Sequence, residues 1–300
     1  RFRAVDALLV LQQTLNGLQL GVMLFLMAAG LTLVFGIMDL INLAHGSFYM
    51  LGAYLAAWLT GLLGAFLPAL ALAMLLTGLV GILVELTTLR RLYARDHLFQ
   101  VLATFGLILT FNELIAVLFG VQPIFASPPP ALSGQVTLLG APYPAFRLAI
   151  IAVGAATALA LWWLIARTRL GMLIRAGADN REMAAALGVD VARLYTLVFA
   201  LGAALAALAG AMAGPILAVR IGMGEDILIL TFVVIVIGGI GSIRGAFVGA
   251  LLIGLVDTFG RAFLPALLGA AGTSLASMAI YILMALVLAF RPRGLFPAPA

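Results

Sequence analysis

Nine apolar stretches, each close to the length of one bilayer crossing, follow one another along the chain with little charge between them. They are Leu8–Phe35, Leu43–Leu63, Leu67–Leu89, Leu98–Phe119, Ala145–Ile165, Leu194–Val219, Ile227–Ile243, Gly245–Leu264 and Leu275–Phe290. A helix needs about 20 apolar residues to cross a ~30 Å hydrocarbon core. In lipid each backbone N–H and C=O must find a partner within the protein, which a helix supplies by itself. A soluble domain carries about 25% charged residues; here 9% are charged and 65% are hydrophobic. No water-soluble core could hide that much apolar side chain. The fold class is therefore an all-α polytopic membrane protein, with residues 1–300 forming a single transmembrane domain.

The residue inventory closes off several chemistries. Cysteine is absent, which excludes disulfides, thiolate metal sites and cysteine nucleophiles. The two His, His45 and His97, are far apart in sequence, so no metal site is assigned. All 16 cations are Arg. A Walker-type phosphate loop needs its Lys, so this chain is not itself a P-loop ATPase. No Ser/His/Asp grouping falls on one face, and no catalytic residue is assigned. The pI of about 10.2 does not point to nucleic acid. The Arg cluster beside apolar spans, where they orient a membrane protein.

Arg90, Arg91 and Arg95 mark one cytoplasmic loop, and Arg291 with Arg293 marks a cytoplasmic C-terminus. Between them, residues 167–193 form a charged island holding five of the 16 Arg and three of the 11 acidic residues. Residues 120–144 hold six of the 12 Pro and no charge. They read as an extracytoplasmic loop, stiffened by Pro128-Pro129-Pro130. Arg1 and Arg3 suggest a cytoplasmic N-terminus. Three apolar segments then precede Arg90 on the same side, so one of them should not cross. Leu43–Leu63 is the candidate, because Asp39, Asn42, His45 and Gly46 interrupt the apolar run before it. Non-helical backbone at membrane depth is tolerated where it lines a cavity or is buried in protein. The expectation is about eight transmembrane helices plus one broken or re-entrant helix; the rival is nine crossings from an outer N-terminus. A weak internal repeat slides Leu31–Leu55 onto Leu230–Gly254, matching Gly46 with Gly245 and Phe48 with Phe247.

Four groups of residues could carry function. Glu182, Ala184 and Ala185 lie in a short helix-favouring run ended by Gly188, with Asp179 or Asn180 available to cap its start. A helix kept thin by Ala can lie in a partner's groove, and Glu182 can pair with a cation there. The interruption at Asp39, Asn42, His45 and Gly46 offers polar groups inside the membrane, where they usually face a pathway or each other. Gly238, Gly239, Gly241, Arg244 and Gly245 form a second helix break. Its spacing is not that of a phosphate loop, and it reads as a tight turn that lets helices approach. Arg244 is either an interface anchor or a partner for Asp257 or Glu113. Asp257 and Arg261 sit at i, i+4 and should pair, Asn112-Glu113 reads as buried, and Glu85 reads as lying near the cytoplasmic headgroups.

Three segments together resemble the permease of the branched-chain amino acid ABC importer, the LivH type. They are Gly36 to Tyr54 (GIMDLINLAHGSFYMLGAY), Arg175 to Asp190 (RAGADNREMAAALGVD) and Gly238 to Gly245 (GGIGSIRG). The docking loop departs mildly from the family's Glu-Ala-Ala form in having Met183 second. The resemblance implies a heteromer of the bacterial inner membrane. A second, homologous permease completes the pathway, two cytoplasmic ABC ATPases bind ATP and Mg on their own chains, and a periplasmic binding protein delivers the solute. This chain would bind no cofactor. Glu182, Ala184, Ala185 and Gly188 would couple to the ATPases; Asp39, Asn42, His45 and Gly46 would line the path. Permeases for urea, short amides or sugars are similar in the same segments, and a self-contained secondary transporter is the reading from a different class.

Overall fold

The computed structural model describes residues 2–93 and 95–297. Arg1 and the side chain of Arg3 lie outside the described residues. The helices are α1 (Phe2–Met38), α2 (His45–Leu63), α3 (Phe66–Thr87), α4 (His97–Phe119), α5 (Ala145–Arg167), α6 (Arg169–Asp179), α7 (Arg181–Ala186), α8 (Val191–Ala213), α9 (Met223–Gly238), α10 (Ile243–Leu268) and α11 (Ala270–Phe290). Eight of them, α1 to α5, α8, α10 and α11, are long and apolar enough to cross a membrane. A 3-10 turn, Leu89–Leu92, leads from α3 towards α4. The one hairpin among the described residues, β1 (Gln135–Leu138) paired with β2 (Ala141–Pro144), lies in the Pro-rich loop.

Small residues set the packing. A Cβ on Gly52 of α2 would lie 2.3 Å from the Cα of Ala207 on α8, and one on Gly210 would lie 2.0 Å from the Tyr49 carbonyl. Helices with such faces pack closely without polar side chains. The interior is built from α1, α2 and α8, whose residues are mostly buried, whereas few residues of α5 and α11 are buried.

Contacts along α1 fix its direction and that of α5. In its first half, the Tyr143 hydroxyl of β2 and Arg147 of α5 donate to the Asn16 side-chain oxygen at 3.1 and 2.7 Å. Near its end, Ile37 lies against Gly177 of α6. So α1 and α5 both run from the hairpin end, called outer here, to the Arg-rich end, called inner. This reverses the expectation drawn from Arg1 and Arg3. The start of α1 lies with the hairpin, at the opposite end from Arg90 and Arg91.

After Met38 the chain turns back without helix through Asp39–Ala44. His45 then donates from Nε2 to the carbonyl of Met27 at 3.2 Å. Met27 is eleven residues from the end of α1, about 16 Å at 1.5 Å per residue. Helix α2 therefore begins at mid-depth and runs outward as a continuous helix of 19 residues. The break precedes Leu43–Leu63 and does not stop it. The shorter partner is α9, with 16 residues, about 24 Å long. It also starts inside: Val219 pairs with Ile124 of the outer loop, and Gly224 then meets Gly46. Helix α9 runs inward to Gly239, which touches Phe296 and Arg293.

Helices α1 to α3 and α8 to α10 thus repeat one arrangement in opposite directions. Helix α3 packs on α8 as α10 packs on α1, and α2 and α9 begin against one another. The sequence repeat was right in kind and wrong in register. Gly46, second residue of α2, corresponds to Gly224, second residue of α9, and not to Gly245.

Candidate functional site

The inner face is built from α6, α7 and the start of α8. Thr168 caps α6 by accepting from Gly171 N at 3.1 Å. Helix α6 buries Gly171, Ile174 and Gly177 and exposes Arg169 and Arg175. The cap of α7 is Asn180, whose Oδ1 accepts from Met183 N at 2.9 Å. At its end Gly188 N bonds Ala185 O at 3.0 Å and Val189 N bonds Ala184 O at 3.1 Å, with Gly188 at φ +88°. This is the two-bond Schellman ending, which a left-handed Gly permits. Asp190 then caps α8 through Arg193 N at 3.0 Å. Ala184 is 3% exposed and seats α7, while Glu182, Met183, Ala185 and Gly188 face outward. Leu187, 79% exposed, stands beside them.

Glu85 lies at the inner end of α3 beside Arg90, as its place before that residue suggests, but turned into the protein. It is fully buried and takes hydrogen bonds from three side chains: Arg90 Nε at 3.1 Å and Nη2 at 3.2 Å, the Tyr93 hydroxyl at 2.6 Å and the Thr196 hydroxyl at 2.8 Å. Burial pushes the Tyr93 hydroxyl well above the usual tyrosine range, and the bond to Glu85 and its charge push it further. Arg90's own hydrogen bond to Glu85 raises its guanidinium. Tyr93 stays neutral and Arg90 charged at any physiological pH.

The residues expected along a path are spread out. Asp39 is exposed at the inner end with φ +49°. Asn42 is wholly buried, and neither its Oδ1 nor its Nδ2 has a partner. His45 is buried on the Met27 carbonyl. Gly46 sits backbone to backbone with Gly224. The break is anchored by Gln100 of α4, whose Oε1 accepts from Ile41 N at 3.3 Å. None of the four lines either of two cavities at the ends of the bundle. One, about 260 Å³, opens at the outer end among Ala53, Ala57, Thr60, Phe66, Ile124 and Ser127. The other, about 360 Å³, lies at the inner end among Val236, Ile240, Leu288, Pro292 and Arg293.

Sequence reading passed over the start of α9. Glu225 accepts from Asn112 Nδ2 of α4 at 2.7 Å, and Arg220 pairs with Asp226. Asn112 is seven residues before the outer end of α4, about 10 Å below it. These charges therefore lie within the depth of the bundle. Arg220 and Asp226 are more than half exposed, although an ion pair does not face hydrocarbon cheaply. Glu113, which read as buried, is exposed.

The second break is a tight inner turn. Gly239 and Gly241 have φ of +108° and +80°, Ser242 caps α10 through Gly245 N at 3.1 Å, and Gly238 abuts Gly245. Arg244 is exposed and pairs with neither Asp257 nor Glu113. Asp257 is taken by Arg261 at 2.8 Å, as the i, i+4 spacing expects. Among the described residues no three of His, Cys, Asp and Glu come together as a metal site.

Similarity to known proteins runs along nearly the whole chain. The model of a family described as "Branched-chain amino acid transport system / permease component" matches residues 13–288. The high-affinity branched-chain amino acid transport system permease protein BraD of Pseudomonas aeruginosa is 32% identical over 304 residues, covering 96% of each chain. The corresponding LivH of Escherichia coli K12 is 29% identical over 310 residues, again with 96% of each. A probable LivH of Methanocaldococcus jannaschii is 27% identical over 288 residues, with 91% of this chain and 88% of its own. The family match spans both interrupted helices and the α6–α8 face: this multi-pass membrane protein belongs to the family of branched-chain amino acid transport system permease components.

Proposed function

We propose that this permease is the membrane subunit of an ATP-driven importer in the bacterial inner membrane, and that it passes branched-chain or other hydrophobic amino acids. The observation that carries the reading is α7. It is a short helix capped at both ends, seated on Ala184, and it presents Glu182, Met183, Ala185 and Leu187 at the Arg-rich end. A loop whose only task was to connect α5 to α8 needs neither two caps nor two exposed large apolar side chains. A rigid helix of this kind suits docking on a partner.

The partner would be an ABC ATPase, one on this chain and one on a second, homologous permease, with ATP and Mg held on the ATPases. A periplasmic binding protein would bring the solute. Closure of the ATPases would displace α7 as a rigid element. Asp39, Asn42, His45 and Gly46 would come to line the path when α2 and α9 part. The Asn42 amide, buried without a partner in this state, would then gain one.

The test is to purify the chain gently from its native membrane and identify what accompanies it. Two ABC ATPases and a second permease are expected, and Glu182→Arg should lose the ATPases while still inserting in the membrane. A lone chain that transports leucine by itself would overturn the reading.

A further inference from the structure

Glu85 joins the inner end of α3 to the start of α8, which continues the docking face, and to the turn that leads into α4, whose Gln100 anchors the first break. We propose that Glu85 is a positioning residue of the transport cycle: through Thr196 it ties the inner end of α3 to the base of α8, so that displacement of α7 is passed to α3 and α4. This rests on the docking reading above.

The link from α7 to α8 has no slack. Only Leu187–Asp190 separates them. Within it, Leu187 N, Gly188 N and Val189 N all bond back to α7 and Asp190 caps α8. A shift of α7 therefore carries the first turns of α8, where Thr196 lies. The Thr196 hydroxyl donates to Glu85 Oε2 and accepts from Arg90 Nη2, both at 2.8 Å. Arg90 and Tyr93, the other donors to Glu85, belong to the turn that leads into α4. One carboxylate thus holds three elements at a single point.

Apolar packing would not do the same. Helices α3 and α8 already touch along small residues, with Gly81 against Ala203 and Gly78 against Ala200. Such contacts hold helices together but resist sliding weakly. A buried carboxylate is costly unless fully hydrogen-bonded. What it offers over a hydrophobic side chain is direction, because charge-assisted bonds fix angle and register.

The test uses the whole complex in proteoliposomes, with radiolabelled leucine as the probe and ATP hydrolysis measured in the same vesicles. Thr196→Val removes only the bridging hydroxyl and leaves Glu85 bonded to Arg90 and Tyr93, so folding and assembly should survive. The expected result is that ATPases remain bound and hydrolyse ATP, while leucine imported per ATP falls about fivefold or more, the range of ordinary coupling energies. Thr196→Ser, which restores the hydroxyl, should return the ratio to that of the parent. An unchanged ratio in Thr196→Val would overturn the proposal. So would a Thr196→Ser complex as poorly coupled as Thr196→Val, or a Thr196→Val complex that has simply lost its ATPases. A parent chain without ATPases would instead bring down the docking reading, and this proposal with it.

Discussion

Gly46 and Gly224 meet where two helices begin in the middle of the bundle. A Cβ on Gly46 would lie 2.3 Å from the Gly224 carbonyl oxygen, and one on Gly224 would lie 2.2 Å from that of Gly46. Neither backbone can take a side chain without moving away. Gly46→Ala and Gly224→Ala should each cost about 1–3 kcal/mol, the usual size of overpacking. Gly61→Ala, with nothing within 4 Å, is the matched control. Melting of the purified protein followed by size exclusion reads the difference. Equal melting of all three variants would mean that the two helix starts are not in contact.

The Asn180 cap should matter to docking more than to the fold. Asn180→Ala removes the acceptor for Met183 N, a loss of about 1 kcal/mol at a typical helix start. Because α7 has six residues, that loss should fray it. The expected outcome is normal membrane insertion with fewer ATPases co-purifying, and recovery in Asn180→Asp. A full complement of ATPases on Asn180→Ala would show that the cap is dispensable.

Gly188 should tolerate little. Its φ of +88° is unfavourable for any residue with a Cβ and worst for a β-branched one, although there is space around it. Gly188→Val should abolish leucine uptake in cells while the protein remains in the membrane by immunoblot. Retained uptake would mean that α7 can end in another way.

Single cysteines can map which groups meet water, since the chain has none of its own. A cysteine replacing Arg220 or Asp226 should react with a membrane-impermeant thiol reagent, because both side chains are more than half exposed. One replacing Asn42 should be protected until the complex cycles with ATP. Protection at position 220 would place the start of α9 against lipid or a tightly packed partner instead of an aqueous path.

What was legible in the sequence was local. The α7 helix shows itself by a cap, a run of Ala and a Gly stop within nine residues, Asn180 to Gly188. The Asp257–Arg261 pair is one helical turn apart and needed no tertiary knowledge. The start of α9 was missed for the opposite reason. Arg220, Glu225 and Asp226 between two apolar spans look like any polar loop, and only the contact with Gly46 brings them into the bundle. The same blindness misplaced the repeat, because apolar spans align in many registers. Glu85 and Thr196 are 111 residues apart, beyond the reach of any periodicity. The N-terminal arginines misled because two charges near a terminus weigh little against α1's packing on α5.

The oppositely directed halves have an energetic consequence. If each half can adopt the shape the other now holds, the exchanged molecule presents its opening at the other end with nearly the same set of internal contacts. The two forms would then differ little in free energy. A chain balanced in this way needs no large force to be tipped. A bias of a few kcal/mol applied from outside, at a single helix, changes which form predominates.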